Sequence, residues 1–167
     1  MTDRASVLVM GPAGCGKTTV GRALARRLGG IFLDADDYHP ERNLARMRRG
    51  DALTDADRWP WLAAVAEALD GAEQPGQPVV VACSALKRAY RHALGFPGDH
   101  RIVVELRLPR EVLARRLAER REHFFDAGLL DSQLADLEPA DEGVALAADA
   151  PVETLVARIL LCLSDNQ

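Results

Sequence analysis

A glycine-rich segment near the N-terminus carries the residue types that bind phosphate. Residues 11–18 read GPAGCGKT and match the pattern G-x-x-x-x-G-K-[ST] at every fixed position. In such a P-loop the backbone N–H groups turn toward a phosphate, the lysine reaches the β- and γ-phosphates, and the hydroxyl group can bind Mg²⁺. We therefore expect a nucleoside triphosphate and Mg²⁺, with Lys17 catalytic and Thr18 a metal ligand. The nucleotide-binding residues expected in this loop are Gly11, Pro12, Ala13, Gly14, Cys15, Gly16, Lys17, Thr18 and Thr19.

The segments that flank this loop have the character that the pattern requires. An apolar run at residues 7–10 is typical of a buried strand, and residues 20–28 are typical of a helix. A strand that leads through the loop into a helix is the context in which the pattern indicates phosphate binding. The alternative is a glycine-rich turn with an accidental lysine, which these flanks disfavour.

Two acidic residues follow the next predicted strand. Asp34 and Asp36 lie at the end of the short apolar run at residues 31–33. Acids at strand ends beside a P-loop strand lie where an α/β sheet gathers its ligands. One of the two carboxylates can contact an Mg²⁺-bound water, and the other can contact the acceptor hydroxyl. The alternative is that they are solvated loop residues or helix caps.

Basic side chains are needed to hold the acceptor of a phosphoryl group. Arg58 stands between an acidic loop and a helix, and Lys87 and Arg91 follow the third predicted strand at one-turn spacing. The chain has 19 arginines and two lysines, Lys17 and Lys87, so Lys87 is a candidate for a site that needs a compact ammonium group. For Arg58 the alternative is a surface ion pair with Asp55 or Asp57.

Further candidates lie on a basic helix and beside structural boundaries. Arg116 and Arg120, one turn apart, are expected near the nucleotide and the transferred phosphoryl group, and the alternative is a solvated helix face. His39 either touches the substrate or acts as a cap or a core donor, and the same choice holds for His123. Trp59 and Trp61 are interpreted as core anchors.

Length and composition limit the class of protein. A chain of 167 residues with 48% hydrophobic residues is the size of one domain with a packed core. A net charge of −4 speaks against a nucleic-acid partner. The three cysteines lack C-x-x-C spacing, which fits a reducing compartment. We find neither a secretory signal nor an apolar run long enough for a membrane span, and we expect a cytoplasmic protein without a membrane partner.

Strand-like and helix-like segments alternate along the chain, which predicts a three-layer α/β sandwich with a mostly parallel sheet. An acidic loop is expected at residues 51–57 and a weakly periodic segment at 126–139. The predicted strands are 7–10, 31–33, 79–83, 102–108 and 144–147. The predicted helices include 20–28 and others that begin near 40, 58, 87, 109 and 151, with prolines 40 and 151 at the first helical position.

Longer blocks of sequence resemble the bacterial gluconate kinases, or gluconokinases. The block D-x-D-R-x-P-W-L at residues 55–62 and the block CSALK at 83–87 are far more specific than the P-loop alone. The other matching residues are FLDAD at 32–36, His39, Pro40, Asn43, Met47, Gly50, Leu53, Tyr90, Arg91, Arg116, Leu117, Arg120 and HFF at 123–125. The resemblance covers nearly the whole chain.

The resemblance implies ATP-dependent phosphorylation of D-gluconate on its 6-hydroxyl, on a P-loop NTPase fold with a five-stranded parallel sheet in the order 2-3-1-4-5. It implies that the single domain, residues 1–167, has a lid over the nucleotide, which we place at about 116–137. It assigns Asp36 as base and Asp34 to the metal, although the two roles can be exchanged, and Arg120 joins Lys17 and Asp36 as catalytic. Family members are often dimeric, so a homodimer is expected. The substrate contacts predicted for gluconate are Asp36, His39, Arg58, Lys87 and Arg91.

Two other classes compete with this interpretation. A shikimate-type kinase would have a glycine triplet where residues 83–87 read CSALK, and a nucleoside monophosphate kinase would have a pocket that reads a base. A P-loop switch protein would bind nucleotide and a protein partner. A GTPase would need an Asn-Lys pair, and asparagine precedes neither lysine.

Overall fold

A twisted parallel sheet forms the centre of the computed structural model, which describes residues 5–120 and 127–165. Its five strands are ordered β2-β3-β1-β4-β5 and every neighbouring pair is parallel, as the family resemblance predicts. The apolar runs of β1 and β3 are buried along their whole length, which is typical of strands covered by helices on both faces. The strands are β1 (Ser6–Met10), β2 (Ile31–Asp34), β3 (Val79–Ala82), β4 (Arg101–Arg107) and β5 (Val144–Ala147).

Helices cover both faces of this sheet and complete the three layers. On one face α1, α5 and α7 enclose an apolar core that includes Leu24, Leu113 and Ile159. On the other face α3 and α4 enclose a second core that includes Leu62 and Leu94. The helices are α1 (Lys17–Leu28), α2 (Glu41–Arg48), α3 (Asp55–Ala72), α4 (Arg88–Ala93), α5 (Arg110–Glu119), α6 (Ala127–Asp136) and α7 (Val152–Asp165), and a 3₁₀ helix spans Ala35–Tyr38. None of the helices in the described part of the chain is both long and apolar enough to cross a membrane.

Several element boundaries differ from the sequence prediction for local reasons. Helix α3 begins at Asp55 rather than near Arg58, because Thr54 and Asp57 form a capping box in which each side chain accepts from the other residue's backbone N–H. The segment predicted to be weakly periodic contains α6. Each of α2, α5 and α7 begins one residue after its proline rather than on it.

The two tryptophans of α3 have different environments. Trp61 is 3% exposed and its indole N–H donates to the carbonyl of Ala35 at 2.7 Å. Trp59 is 43% exposed, so its prediction as a core anchor was wrong. The sequence pattern does not separate them, because the face that α3 buries is set by its contact with the 3₁₀ helix and α4.

Candidate active site

The carboxyl ends of β1, β2 and β3 meet at one cleft, where an open parallel sheet binds its ligands. The P-loop enters the cleft after β1, the acids Asp34 and Asp36 enter after β2, and Ser84 enters after β3. Helix α3 adds Arg58, and α6 covers the opposite wall. The other functional candidates that line the cleft are Lys17, Thr18, Thr19, His39, Trp61, Arg120 and Gln133.

The P-loop has the backbone geometry that a phosphate cradle needs. Gly16 has φ 97° and ends the loop at the first turn of α1, which no side chain of the described residues caps. Gly14 has φ 86°, and a Cβ there would lie 3.3 Å from the carbonyl oxygen of Leu113. Both positions therefore favour glycine. The uncapped helix terminus leaves backbone N–H donors and the positive end of the helix dipole directed at the cleft, so the loop fits a nucleotide phosphate.

Lys17 and Thr18 each donate a hydrogen bond to a residue beside the phosphate cradle. The Lys17 ammonium donates to the carbonyl of Pro12 at 3.1 Å, within the same loop. The Thr18 hydroxyl donates to Asp34 Oδ2 at 3.2 Å, which brings the two predicted metal residues together. Within the described residues no group of three or more His, Cys, Asp or Glu can hold a metal ion. A Thr18–Asp34 pair fits Mg²⁺, which keeps several waters and binds substrate phosphates.

Asp36 lies in the cleft and its carboxylate is open to solvent. Asp34 Oδ1 accepts from the backbone N–H of Asp36 at 3.0 Å, which fixes the turn between the two acids. Desolvation raises the pKa of Asp36 above its ordinary value, and the charge of Lys17 offsets part of this increase. Because 78% of the side chain is accessible, that desolvation is incomplete and we expect an ionised carboxylate near neutral pH. Asp36 can therefore accept a proton.

His39 is enclosed beside Asp36. Its ring stacks on the Trp61 indole with centroids 4.1 Å apart and planes inclined by 18°. Its side chain is only 4% exposed, and its Nε2 lies 3.8 Å from Asp36 Oδ1. Burial lowers the pKa of His39 to about 4, and the charge of Arg58 adds to this effect, while Asp34 opposes it. His39 is therefore neutral at physiological pH.

Arg58 reaches the cleft from a nearly buried position, with 7% of the residue exposed. Its Nη1 donates to the Tyr90 hydroxyl at 2.8 Å and to Asp136 Oδ2 at 3.0 Å. Burial alone would lower the pKa of Arg58, but the hydrogen bonds and the charges of Tyr90 and Asp136 together outweigh burial and raise it. The surface pairing considered from sequence is a minor contact, since Asp55 Oδ1 is 4.0 Å away.

Lys87 and Arg91 lie behind this cleft and do not line it. The Lys87 ammonium donates to Asp55 at 3.2 Å, and Asp55 also accepts from the Tyr90 hydroxyl. Arg91 is fully buried, with Nε donating to Glu142 at 2.6 Å and Nη1 donating to the carbonyls of Ala85 and Glu138. Both cations are thus paired within the protein, Lys87 at a partly exposed position and Arg91 in the interior. Their predicted contacts with gluconate stay predictions.

Arg116 and Arg120 border a second cleft on the other side of the P-loop. Arg116 donates to the carbonyls of Gly14 and Ala148 at 3.4 and 3.5 Å, so it connects the P-loop to the segment before α7. Arg120 lines both clefts. Cys15 lines the second cleft but is only 1% exposed. His123 lies outside the described residues.

Gln133 is a site residue that sequence reasoning missed. Its side-chain oxygen accepts from the backbone N–H of Ala13 at 2.8 Å, so α6 is attached to the P-loop by one of the loop's own amide donors. Ser132 and Leu129 of α6 line the same cleft. The segment lacked a periodic pattern strong enough to indicate which side it presents, and no motif marks Gln133.

This fold and site define a P-loop kinase, in which a phosphate cradle faces an acceptor site across one cleft. A family model described as "AAA domain" matches residues 7–126. A protein named "Probable gluconokinase" from Xenopus tropicalis is 41% identical over 92% of this chain and 90% of its own length. The gluconokinase of Gluconobacter oxydans (strain 621H) is 46% identical over 81% of this chain and 77% of its own length.

A solved structure agrees with these relatives. The crystal structure of a gluconokinase from Sinorhizobium meliloti 1021 has a TM-score of 0.85 and 40% sequence identity, and it covers 99% of this chain and 94% of that one. The chain belongs to the gluconokinase family of P-loop kinases.

Proposed function

We propose that this protein transfers the γ-phosphoryl group of ATP to the 6-hydroxyl of D-gluconate, giving 6-phospho-D-gluconate and ADP. The observation that carries the proposal is the single cleft in which the P-loop, Asp36 and Arg58 meet. Family membership supports gluconate as the acceptor, because relatives that match most of this chain are named gluconokinases.

On the nucleotide side, the P-loop amides and Lys17 hold the β- and γ-phosphates. The Thr18 hydroxyl and Asp34 are the residues that would hold Mg²⁺, and this ion would neutralise charge that develops on the phosphates. Arg116 borders the cleft behind the P-loop, which is the place left for the nucleoside. Arg120 lines both clefts and can place its charge over the transferred group.

On the acceptor side, Asp36 accepts the proton of the 6-hydroxyl as its oxygen attacks the γ-phosphorus and ADP departs. Its open carboxylate and its position beside the P-loop support this role. Arg58 supplies the cation for the gluconate carboxylate, and His39 supplies a neutral polar edge for a hydroxyl group. Lys87 and Arg91 already have protein partners, since Lys87 holds Asp55 and Arg91 holds the segment at 138–142, and direct contacts of these two cations with gluconate stay predictions.

Three further features remain predictions. They are a cytoplasmic location, a homodimer, and a lid at about 116–137. Residues 121–126 of that segment lie outside the described residues.

A coupled assay of ADP formation tests the proposed function. The purified chain with ATP and Mg²⁺ should form ADP in proportion to added D-gluconate. It should do so much more slowly with shikimate, with a nucleoside monophosphate or with no acceptor. ADP formation that does not depend on gluconate would instead favour a nucleotide-binding switch, and faster turnover of shikimate or a nucleoside monophosphate would favour those kinase classes.

A further inference from the structure

Asn43 of α2 is buried beside His39, and its side-chain hydrogen bonds go to His39 and Asp57. Its exposure is 0%. Its side-chain Nδ2 lies 3.0 Å from the backbone carbonyl of Asp57 and 3.3 Å from Nδ1 of His39. A buried amide between a backbone carbonyl and a site histidine calls for a physical reason.

The Asp57 carbonyl fixes the orientation of the Asn43 amide. A carbonyl oxygen only accepts hydrogen bonds, so the atom that faces it must be the NH₂ group. With the amide reversed, two acceptor oxygens would face each other at about the same distance in a buried place, and a buried polar group without a partner costs roughly 1–3 kcal/mol. The amide oxygen has no partner among the described residues, which indicates that its nitrogen selects the orientation.

The same nitrogen then determines the protonation of His39. Its second hydrogen is the one available to His39 Nδ1 at 3.3 Å, so we infer that Nδ1 accepts and carries a lone pair. A neutral imidazole has one acceptor and one donor nitrogen. The stack on Trp61 fixes the plane of the ring, and Asn43 fixes which edge faces inward.

We propose that Asn43 is a positioning residue that holds His39 as a neutral imidazole with its hydrogen on Nε2, so that His39 presents a donor to the acceptor side of the cleft. The identity of the hydroxyl that receives this donor rests on the proposed function, whereas the tautomer itself does not. Nε2 lies 3.8 Å from Asp36 Oδ1, beyond hydrogen-bond distance but on the side from which the acceptor meets the base. Because the hydrogen is on Nε2, His39 cannot compete with Asp36 for the acceptor's proton.

The charged groups around His39 agree with a neutral ring. Asp36 faces it from the 3₁₀ helix, Arg58 acts on it from α3, and Asp34 acts on it from β2. Burial and Arg58 lower the pKa of His39 to about 4 despite Asp34. A cation at Nε2 would attract the Asp36 carboxylate and weaken it as a base, so neutrality serves the same step.

Nitrogen-15 NMR of the full chain tests the proposal without any substrate. Long-range ¹H–¹⁵N correlations report which ring nitrogen carries hydrogen, and the His39 signals are identified by their loss in His39→Gln. We expect the Nε2–H form from about pH 8 down to about pH 5.5. A hydrogen on Nδ1, or titration near the ordinary value of about 6.5, would overturn the proposal.

Two variants test whether Asn43 is the cause. Asn43→Asp places an acceptor beside Nδ1, which should move hydrogen onto Nδ1 and raise the titration midpoint of His39 by about one pH unit or more. If this variant does not fold, Asn43→Leu removes the donor without adding charge, and the ¹⁵N shift of Nδ1 should then move toward that of an unbonded nitrogen. Leu44→Ala on the same helix is the matched control and should leave the His39 signals in place. Signals that respond alike to Leu44→Ala and Asn43→Leu would show a merely structural role.

A double-mutant cycle connects the tautomer to the reaction. Asn43→Leu should lower kcat/KM for gluconate by roughly 3- to 10-fold, in line with the loss of one neutral hydrogen bond, with KM for ATP unchanged. In a His39→Gln background, where the side-chain amide donates without tautomer control, the same change should have less than a twofold effect. Equal losses in both backgrounds would overturn the positioning role. If the wild-type chain showed no gluconate-dependent turnover while the NMR result held, the proposed function alone would fail.

Discussion

Replacing Arg58 with methionine should separate acceptor binding from nucleotide binding. Arg58 lines the cleft, is 7% exposed, and is the cation that we propose for the acceptor carboxylate. Its guanidinium is held by Tyr90 and Asp136 at 2.8 and 3.0 Å, which preorganises it without occupying the P-loop. A methionine of similar length would keep much of the packing and remove the charge.

The size of the effect follows from these contacts. Loss of one charge-assisted contact to the gluconate carboxylate costs on the order of 1.5–3 kcal/mol, which is roughly ten- to more than a hundredfold in KM for gluconate. The cost in folding stability should be smaller than the ~3–5 kcal/mol of a fully buried pair. Asp136 is 30% exposed and can be solvated, and the Tyr90 hydroxyl still donates to Asp55. We expect a loss of about 1–3 kcal/mol in the free energy of unfolding.

The assay measures KM for gluconate and for ATP separately, together with urea unfolding of the same preparations. Arg58→Lys should give an intermediate KM, because lysine keeps the charge but lacks the planar fork. Arg107→Met is the control, since Arg107 is a half-exposed arginine whose partner, Glu105, is on β4. An increase in KM for ATP equal to that for gluconate, or an unchanged KM for gluconate, would refute the assignment of Arg58 to the acceptor.

Five further substitutions test other parts of the site. Lys17→Ala should lower kcat by about 10²–10³ with the fold retained, and near-normal turnover at saturating ATP would contradict the P-loop assignment. Asp36→Asn should lower kcat by about 10²–10⁴ with little change in ATP affinity, whereas Asp34→Asn should shift the Mg²⁺ dependence of the rate. If Asp36→Asn instead shifted the Mg²⁺ dependence and Asp34→Asn lowered kcat, the two roles would be exchanged. The pKa of His39 is lowered to about 4 in the folded protein. As pH drops from about 6.5 to 4, the unfolded chain therefore binds a proton at His39 that the folded chain does not, and the free energy of unfolding should fall. His39→Gln should flatten that part of the profile of Tm against pH, and an unchanged slope would argue against a buried neutral ring. Gln133→Ala removes a neutral hydrogen bond to a P-loop amide, so KM for ATP should change by less than tenfold while KM for gluconate stays constant. A change confined to KM for gluconate would contradict the position of Gln133 beside the phosphates.

The sheet and the phosphate side of the site could be predicted because their signals are local. The P-loop places every one of its functional groups within eight consecutive residues, and the resemblance supplied the order of the strands. Asp34 and Asp36 follow from their position at the end of a strand next to the P-loop. These features depend on short spacings, and short spacings are visible in a sequence.

The contacts that sequence reasoning missed depend on parts of the chain that are distant from each other. Gln133 meets Ala13 across 120 residues, and Arg91 meets Glu142 across 51. One-turn spacing placed Lys87 and Arg91 together but could not show which carboxylates and carbonyls of the protein each would contact. A buried cation is paired wherever the fold offers an anion, and that anion is known only once the chain is folded.

Helix α6 connects the two halves of the site through residues three positions apart. Gln133 accepts from the P-loop at Ala13, and Asp136 holds Arg58 on the acceptor side. Residues spaced by three lie on the same side of a helix, so one short helix touches both the phosphate cradle and the acceptor cation. A displacement of α6 would therefore affect both contacts. If a bound nucleotide shifted α6 and so changed the affinity for the acceptor, the bound acceptor would change the affinity for the nucleotide by the same factor. This double contact of α6 could not be predicted from the sequence, because neither Gln133 nor Asp136 belongs to a motif and the two contacts form only in the folded chain.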